Sequence, residues 1–236
     1  CAAAGRPHGL CVAKHGNRAV TSRCGSSQVL EALGLKLPME PALVTEALGR
    51  VGIGFCFAPA HHPAMRHAAP VRAELGFRTI FNLVGPLTNP AGASRLVLGV
   101  FDASLVVPMA EALGELGAMR AMVVHGQGGE TAESGGLDEM SISGPTHLAE
   151  VEGGRVSTRT LDARDLGLGR SAMGSLEASD AEASAAMIRG VLEGETGAAR
   201  DIVLLNAAAG LGVGGVAEEL KHGLRLAAAA IDEGKA

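Results

Sequence analysis

Leu10-Cys11-Val12-Ala13 runs directly into Lys14-His15-Gly16-Asn17-Arg18. The first four residues are apolar and read as a short buried strand over 10–13. The next five bring charge and a glycine to the point where that strand ends. Ala19-Val20-Thr21-Ser22-Arg23-Cys24-Gly25-Ser26-Ser27 follows, and helical spacing then begins. Lys14, Arg18, Arg23, Asn17, two glycines and four hydroxyls thus fall between strand and helix. In parallel sheets, ligands gather at strand ends. Unpaired N–H groups and the dipole at a helix opening favour phosphate. Two readings fit this chemistry. One is a polyphosphate cradle, with Lys14 and Arg18 neutralising charge and Ser22 and Ser26 donating hydrogen bonds. The other is a polar loop with a serine N-cap at Ser26 or Ser27.

Outward from this stretch, short apolar runs alternate with amphipathic ones, the pattern of an α/β domain. Helical spacing over 27–33 stops at Gly34, and a second helix over 41–51 ends near Gly52. A strand over 54–57 meets a Pro- and His-rich loop over 58–63, and 64–75 is helical. Residues 79–83 lead into a turn over 85–90. A strand is expected over 95–100, a helix over 105–116 and a strand over 120–125. Residues 126–136 form a glycine-rich loop. Strands over 140–143 and 146–151 flank a Gly-Pro turn, with 155–159 after them. Residues 167–175 are a connector, and helices over 181–192, 202–211 and 217–231 complete the chain. Ala2-Ala3-Ala4-Gly5 reads as an Ala-rich helix end. The expected sheet is mainly parallel and flanked by helices, with a small antiparallel patch.

Composition narrows the function. Of 236 residues, 47% are hydrophobic but only 2% aromatic, so the core rests on aliphatic side chains. Five Phe, without Trp or Tyr, make a stacked-base nucleic-acid site improbable. A net charge of −5 argues against a basic nucleic-acid surface. Cys1, Cys11, Cys24 and Cys56 form no CxxC pair and read as thiols of a reducing compartment. No apolar run reaches membrane-spanning length, and no signal peptide is visible, so a cytoplasmic protein is expected. Cys1 stands where a Met would begin a chain, which reads as a fragment.

Lys14 to Arg18, the hydroxyls Thr21 and Ser22, Arg23, Gly25-Ser26-Ser27 and Leu30-Glu31-Ala32-Leu33-Gly34 together resemble, in order, the anthranilate phosphoribosyltransferases. Gln28 departs from the usual Asp of that pattern, and Cys24 stands where Ser is common. The resemblance implies that phosphoribosyl pyrophosphate is bound by Lys14, His15, Gly16, Asn17, Arg18, Ala19, Val20, Thr21, Ser22 and Ser26. It also implies that Asn17 contacts anthranilate.

Two later blocks extend the resemblance. His62-Pro63-Ala64-Met65, Val71-Arg72, Arg78-Thr79, Phe81-Asn82 and Gly85-Pro86-Leu87-Thr88-Asn89-Pro90 recur in family order. On residue chemistry, His61 and His62 are polar helix-start residues and Arg72 is a solvated helix face. A zinc reading fails for want of an i, i+4 histidine pair with a suitable companion. The resemblance makes Arg72 the partner of the anthranilate carboxylate, a role that suits a bidentate guanidinium. It places His62 and Pro86 along the channel for the aromatic acid. Gly136-Leu137-Asp138-Glu139-Met140-Ser141 is the other block. Adjacent carboxylates suit a hard cation or a solvated acidic turn, and the resemblance implies that Asp138 and Glu139 hold Mg2+.

Gly210-Leu211-Gly212-Val213-Gly214-Gly215 fits a dinucleotide fingerprint, with 202–205 as a nominal strand. Ala207 to Ala209 intervene, whereas that fingerprint needs its glycines directly after the strand. The expected reading is a helix whose end the glycines mark.

The implied reaction moves 5-phosphoribose from phosphoribosyl pyrophosphate to the anthranilate amine, in tryptophan biosynthesis. The implied fold is a mainly parallel α/β sheet with part of a small all-helical domain, to which residues 35–80 contribute. A homodimer is typical of the family. The family's first phosphate loop and most of its helical domain are absent, so the fragment alone is expected to be inactive. Pyrimidine nucleoside phosphorylases share a related loop, but Asn17, Arg72 and Asp138-Glu139 favour the transferase. A nucleic-acid-binding relative is disfavoured by the acidic balance.

Overall fold

The computed structural model describes residues 2–6, 9–17, 25–75, 79–129 and 135–236. Arg18, Ala19, Val20, Thr21 and Ser22 lie outside the described residues. The chain divides into two compact units, Cys1–Ala93 with Asp180–Ala185, and Ser94–Ser179 with Ala186–Ala236.

The first unit opens on β1 (Ala2–Arg6) and β2 (Gly9–Gly16), paired antiparallel with Ala2 opposite Ala13. The Ala-rich start is therefore a strand, not a helix end. Alanine's helix propensity is a weak preference, and a neighbouring strand overrides it by supplying a ladder of hydrogen bonds. After β2 come α1 (Ser26–Ala32) and α2 (Pro41–Arg50), and the chain returns as β3 (Ile53–Phe57), parallel to β2. Gly34, at φ 101°, ends α1 as expected. Val44 of α2 packs with Ala13, Met39 and Cys56 into a small core. A Cβ at Gly54 would come within 2.8 Å of Leu48 Cγ, so the bare glycine lets α2 lie against β3.

Residues 58–63 do not form an open loop. They begin α3 (Ala58–His61) and a 3-10 turn over Pro63–His67, followed by α4 (Ala69–Leu75). The expected turn over 85–90 also shifts. Pro86 sits inside α5 (Phe81–Leu87), one residue before its end, where its missing N–H leaves an intrahelical bond unmade. The chain turns later, where the Gly92 N–H donates to the Asn89 carbonyl.

In the second unit β4 (Arg95–Gly99) and β5 (Arg120–Gln127) pair in parallel, joined through α6 (Val106–Glu115). β6 (Gly136–Leu137) and β7 (Thr146–Glu152) both pair antiparallel with β5, and β8 (Arg155–Leu161) pairs antiparallel with β7. Gly153 and Gly154, at φ 56° and 79°, supply the two positive-φ positions of the tight β7–β8 hairpin. The chain ends in α7 (Ala181–Leu192), α8 (Ala198–Gly214) and α9 (Leu220–Asp232). Leu205, Ala208 and Ala209 of α8, with Leu224 and Ile231 of α9, share one core with Met122, Val124 and Leu148 of the sheet. A Cβ at Gly223 would come 2.9 Å from Ala208 Cα, so the two helices meet almost backbone to backbone. The α/β class holds, with parallel and antiparallel pairs in its sheet.

Two expectations in this unit resolve differently. Residues 140–143 are not a strand, because their backbone is bonded to side chains rather than to a neighbouring strand. The Gly210-to-Gly215 stretch closes α8, with Gly215 as its left-handed cap at φ 80°. The dinucleotide reading fails, as its glycines lie in a helix. Among the described residues, no helix is long and apolar enough to cross a membrane.

Candidate substrate and metal sites

The register of β2 and β3 sets Lys14 beside Phe55, His15 beside Cys56 and Gly16 beside Phe57. Lys14, His15 and Gly16 are therefore the end of the strand itself, longer than the 10–13 run expected. A Cβ at Gly16 would come 3.1 Å from Ser26 Oγ and 3.1 Å from the Phe55 ring. The absence of a side chain brings the start of α1 against the strand end. Ser27 Oγ, fully buried, donates to the Asn17 carbonyl at 3.3 Å and holds the chain where it leaves β2.

The N-cap of α1 is Gly25, not Ser26 or Ser27. The Gly25 N–H donates to Gln28 Oε1 at 2.8 Å, so Gln28 closes the first turn as a neutral acceptor. The Ser26 hydroxyl is thereby released from capping and remains exposed.

His15 and His62 meet edge to face, with ring centroids 5.0 Å apart. Burial pushes the His15 pKa below its ordinary value. His62 and His61, and least Lys14, push it the same way, against an opposing pull from the Gly85 carbonyl. Burial, then His62, also lowers His61. The Nε2 atoms of His15, His61 and His62 are buried without a hydrogen-bond partner. Pro86 is half-buried in α5, and Arg72 lies on α4. Asn89 Nδ2 donates to the Ala13 carbonyl at 3.3 Å and ties the turn after α5 to β2. Lys14, His15, Gly16 and Ser26 are thus brought to one strand end, with His62 against His15.

In the second unit, Asp138 and Glu139 follow β6 and are exposed. A Cβ at Gly99 would overlap the Asp138 carbonyl, and one at Gly126 would come 2.5 Å from the Glu139 carbonyl. The backbone of the pair is pressed against bare stretches of β4 and β5. His125, buried, holds the Val100 carbonyl through Nδ1 at 2.8 Å. Ser141 Oγ donates to the Gln127 carbonyl at 2.6 Å and accepts from the Ser143 N–H at 2.9 Å. Two adjacent exposed carboxylates on a fixed backbone fit Mg2+, a hard ion that takes oxygen donors and keeps several waters. Among the described residues, no group of three histidine, cysteine or carboxylate side chains could hold a metal ion. The pair would supply two oxygen-donor side chains to such an ion.

Sequence reasoning missed Gly99, Gly126 and Asn206, which shape the backbone around the acidic pair. Asn206 alone left a trace, as a lone amide in the apolar run Leu204-Leu205-Asn206-Ala207-Ala208.

Residues 1–236 match the family described as "Glycosyl transferase family, a/b domain". The chain belongs to this family. It is 52% identical over 232 residues to the anthranilate phosphoribosyltransferase of Rubrobacter xylanophilus, covering 98% of this chain and 66% of that relative. The crystal structure of anthranilate phosphoribosyltransferase from Thermus thermophilus superposes with a TM-score of 0.85 at 47% identity, over 95% of this chain and 65% of the other. The Saccharomyces cerevisiae enzyme in complex with PRPP and Mg gives a TM-score of 0.82 at 25% identity, over 96% of this chain and 62% of the other. Against the five curated relatives that match first, this glycosyl transferase domain spans 63–66% of their length.

Proposed function

We propose that this domain transfers 5-phosphoribose from phosphoribosyl pyrophosphate to the amine of anthranilate, releasing pyrophosphate. The carrying observation is the convergence at the end of β2. Gly16 admits Ser26 to 3.1 Å of its missing Cβ, and His62 packs on His15, so separate sequence blocks share one strand end. The relatives that match along the chain bear the name of this activity.

The hard step is departure of pyrophosphate as positive charge builds on the ribose ring. Lys14 and Arg18 neutralise the leaving group, and Ser22 and Ser26 donate to its oxygens, with His15, Gly16, Ala19, Val20 and Thr21 as further binding residues by the family resemblance. Asn17 and Arg72 hold anthranilate with its amine in line, a contribution of positioning rather than proton transfer. His62 and Pro86 line its approach. Asp138 and Glu139 would hold Mg2+, which would supply further charge stabilisation. An aromatic amine needs little activation, and no general base is assigned. The protein acts in the cytoplasm as a homodimer, a reading that rests on the family resemblance.

The test is anthranilate consumption by the full-length protein that carries this domain, with phosphoribosyl pyrophosphate and Mg2+, followed by fluorescence, beside thymidine with phosphate. Loss of anthranilate signal with pyrophosphate release is expected. Phosphorolysis of thymidine with anthranilate untouched would overturn the reading.

A further inference from the structure

Residues 138–145 carry the acidic pair without belonging to any strand, so something other than a ladder must fix them. Met140, next to Glu139, is fully buried. A buried backbone amide needs partners for both its N–H and its carbonyl. One side chain meets both needs. Asn206 Oδ1 accepts from the Met140 N–H at 2.9 Å, and Asn206 Nδ2 donates to the Met140 carbonyl at 3.0 Å. The same Nδ2 donates to the Ile202 carbonyl one turn back in α8, at 3.0 Å. That third bond fixes the orientation of the amide, with its oxygen toward the N–H and its nitrogen toward two carbonyls.

Asn206 therefore stands in for a neighbouring strand at one residue. Its helix is anchored independently, because Leu204, Leu205, Ala208 and Ala209 around it are buried. Directly before Met140, the bare backbones of Gly99 and Gly126 press on the Asp138 and Glu139 carbonyls. After it, the Ser141 N–H donates to Thr146 Oγ1 at 2.9 Å. The glycines limit how far the turn can move toward the sheet, and Asn206 limits how far it can move away.

We propose that Asn206 is a positioning residue that fixes the Asp138–Glu139 backbone, and with it the spacing of the two carboxylates, for a divalent cation. This rests on reading Asp138 and Glu139 as the metal pair. Asn206 touches neither metal nor substrate; it acts through Met140.

The test uses the full chain and Mn2+ as the probe, titrated by electron paramagnetic resonance with pyrophosphate present, beside a thermal melt of each variant. Asn206→Ala should weaken Mn2+ binding by roughly tenfold, the scale expected for loss of an outer-shell support. Asn206→Ser, which keeps a short hydroxyl, should fall between Ala and parent and serves if the Ala variant fails to fold. Asp138→Asn with Glu139→Gln provides the control. If that control binds Mn2+ like the parent, the metal reading itself falls. If the control loses Mn2+ but folded Asn206→Ala or Asn206→Ser binds it with parent affinity, the positioning role is overturned, whatever the melting temperature does.

Discussion

The strand end at Lys14–Gly16 and the turn at Asp138–Glu139 solve opposite problems. At the strand end, the Nε2 atoms of the half-buried His15, His61 and His62 are buried and unpartnered, and desolvation disfavours the charged form of His15 and His61. At the turn, the backbone at Met140 and Ser141 is taken up by Asn206 and Thr146, while both carboxylates face solvent. The first region leaves buried polar atoms unpaired, a cost that a binding partner can relieve. The second invests its hydrogen bonds in the backbone and keeps its charges accessible. These different designs suit the substrate and ion sites proposed above.

The sharpest way to break this comparison is to remove the charges from the turn. Asp138→Ala with Glu139→Ala should lower Mg2+-dependent turnover by about a thousandfold, since metal charge stabilisation is worth several kcal/mol. The backbone bonds at Met140 and Ser141 involve neither side chain, so the variant should keep a cooperative thermal melt. Anthranilate consumption at the parent rate would remove the pair from the metal site.

At the substrate end the corresponding change is Arg72→Ala. A charged hydrogen-bonding partner contributes about 1.5–3 kcal/mol, so KM for anthranilate should rise roughly 10- to 150-fold. KM for phosphoribosyl pyrophosphate should move little. Equal increases in both constants would mean that Arg72 supports the fold rather than the aromatic acid.

Backbone fit at the turn is tested by Gly99→Ala. The new Cβ would overlap the Asp138 carbonyl, so the turn or β4 must shift. Overpacking of this kind costs about 1–3 kcal/mol. A lower melting temperature together with weaker Mg2+ activation is expected. A parent-like melt and parent-like activation would show that the turn is not pinned against β4.

These two regions were unequally legible in the sequence. Lys14 to Arg18, Arg72 and Asp138-Glu139 stand out because charge and glycine interrupt apolar runs, and helix ends at Gly34 and Gly215 follow from positive φ. Pairing was harder to read. Ala2 to Gly5 has the composition of a helix, yet an antiparallel partner makes it a strand. Residues 140–143 have the alternation of a strand, yet Met140 and Ser141 bond to side chains, one distant in sequence at Asn206 and one near at Thr146. Asn206 lies 66 residues from Met140, and no local pattern encodes a bond across that separation. The roles of Gly99 and Gly126 were invisible for the same reason, since what a missing Cβ avoids depends on the packed neighbour.

The smallest predicted effect concerns pH, and it tests whether the imidazoles at the strand end are held neutral. His15 and His61 have folded-state pKa values below the ordinary 6.5. Between the lowered value and 6.5 the unfolded chain binds more protons than the folded one. Stability therefore rises with pH across that window. It is complete above the unfolded value and declines as the solution is acidified toward the folded one. Melting temperature should fall on going from pH 7 to about pH 5.5, where unfolded histidine is protonated. His15→Gln should flatten that slope, because glutamine keeps hydrogen-bonding capacity without a proton to gain. His61 is less enclosed, so His61→Gln should flatten it less. A slope unchanged by His15→Gln would mean that burial of this imidazole does not oppose its charge, and the contrast between the closed strand end and the solvated turn would lose its electrostatic half.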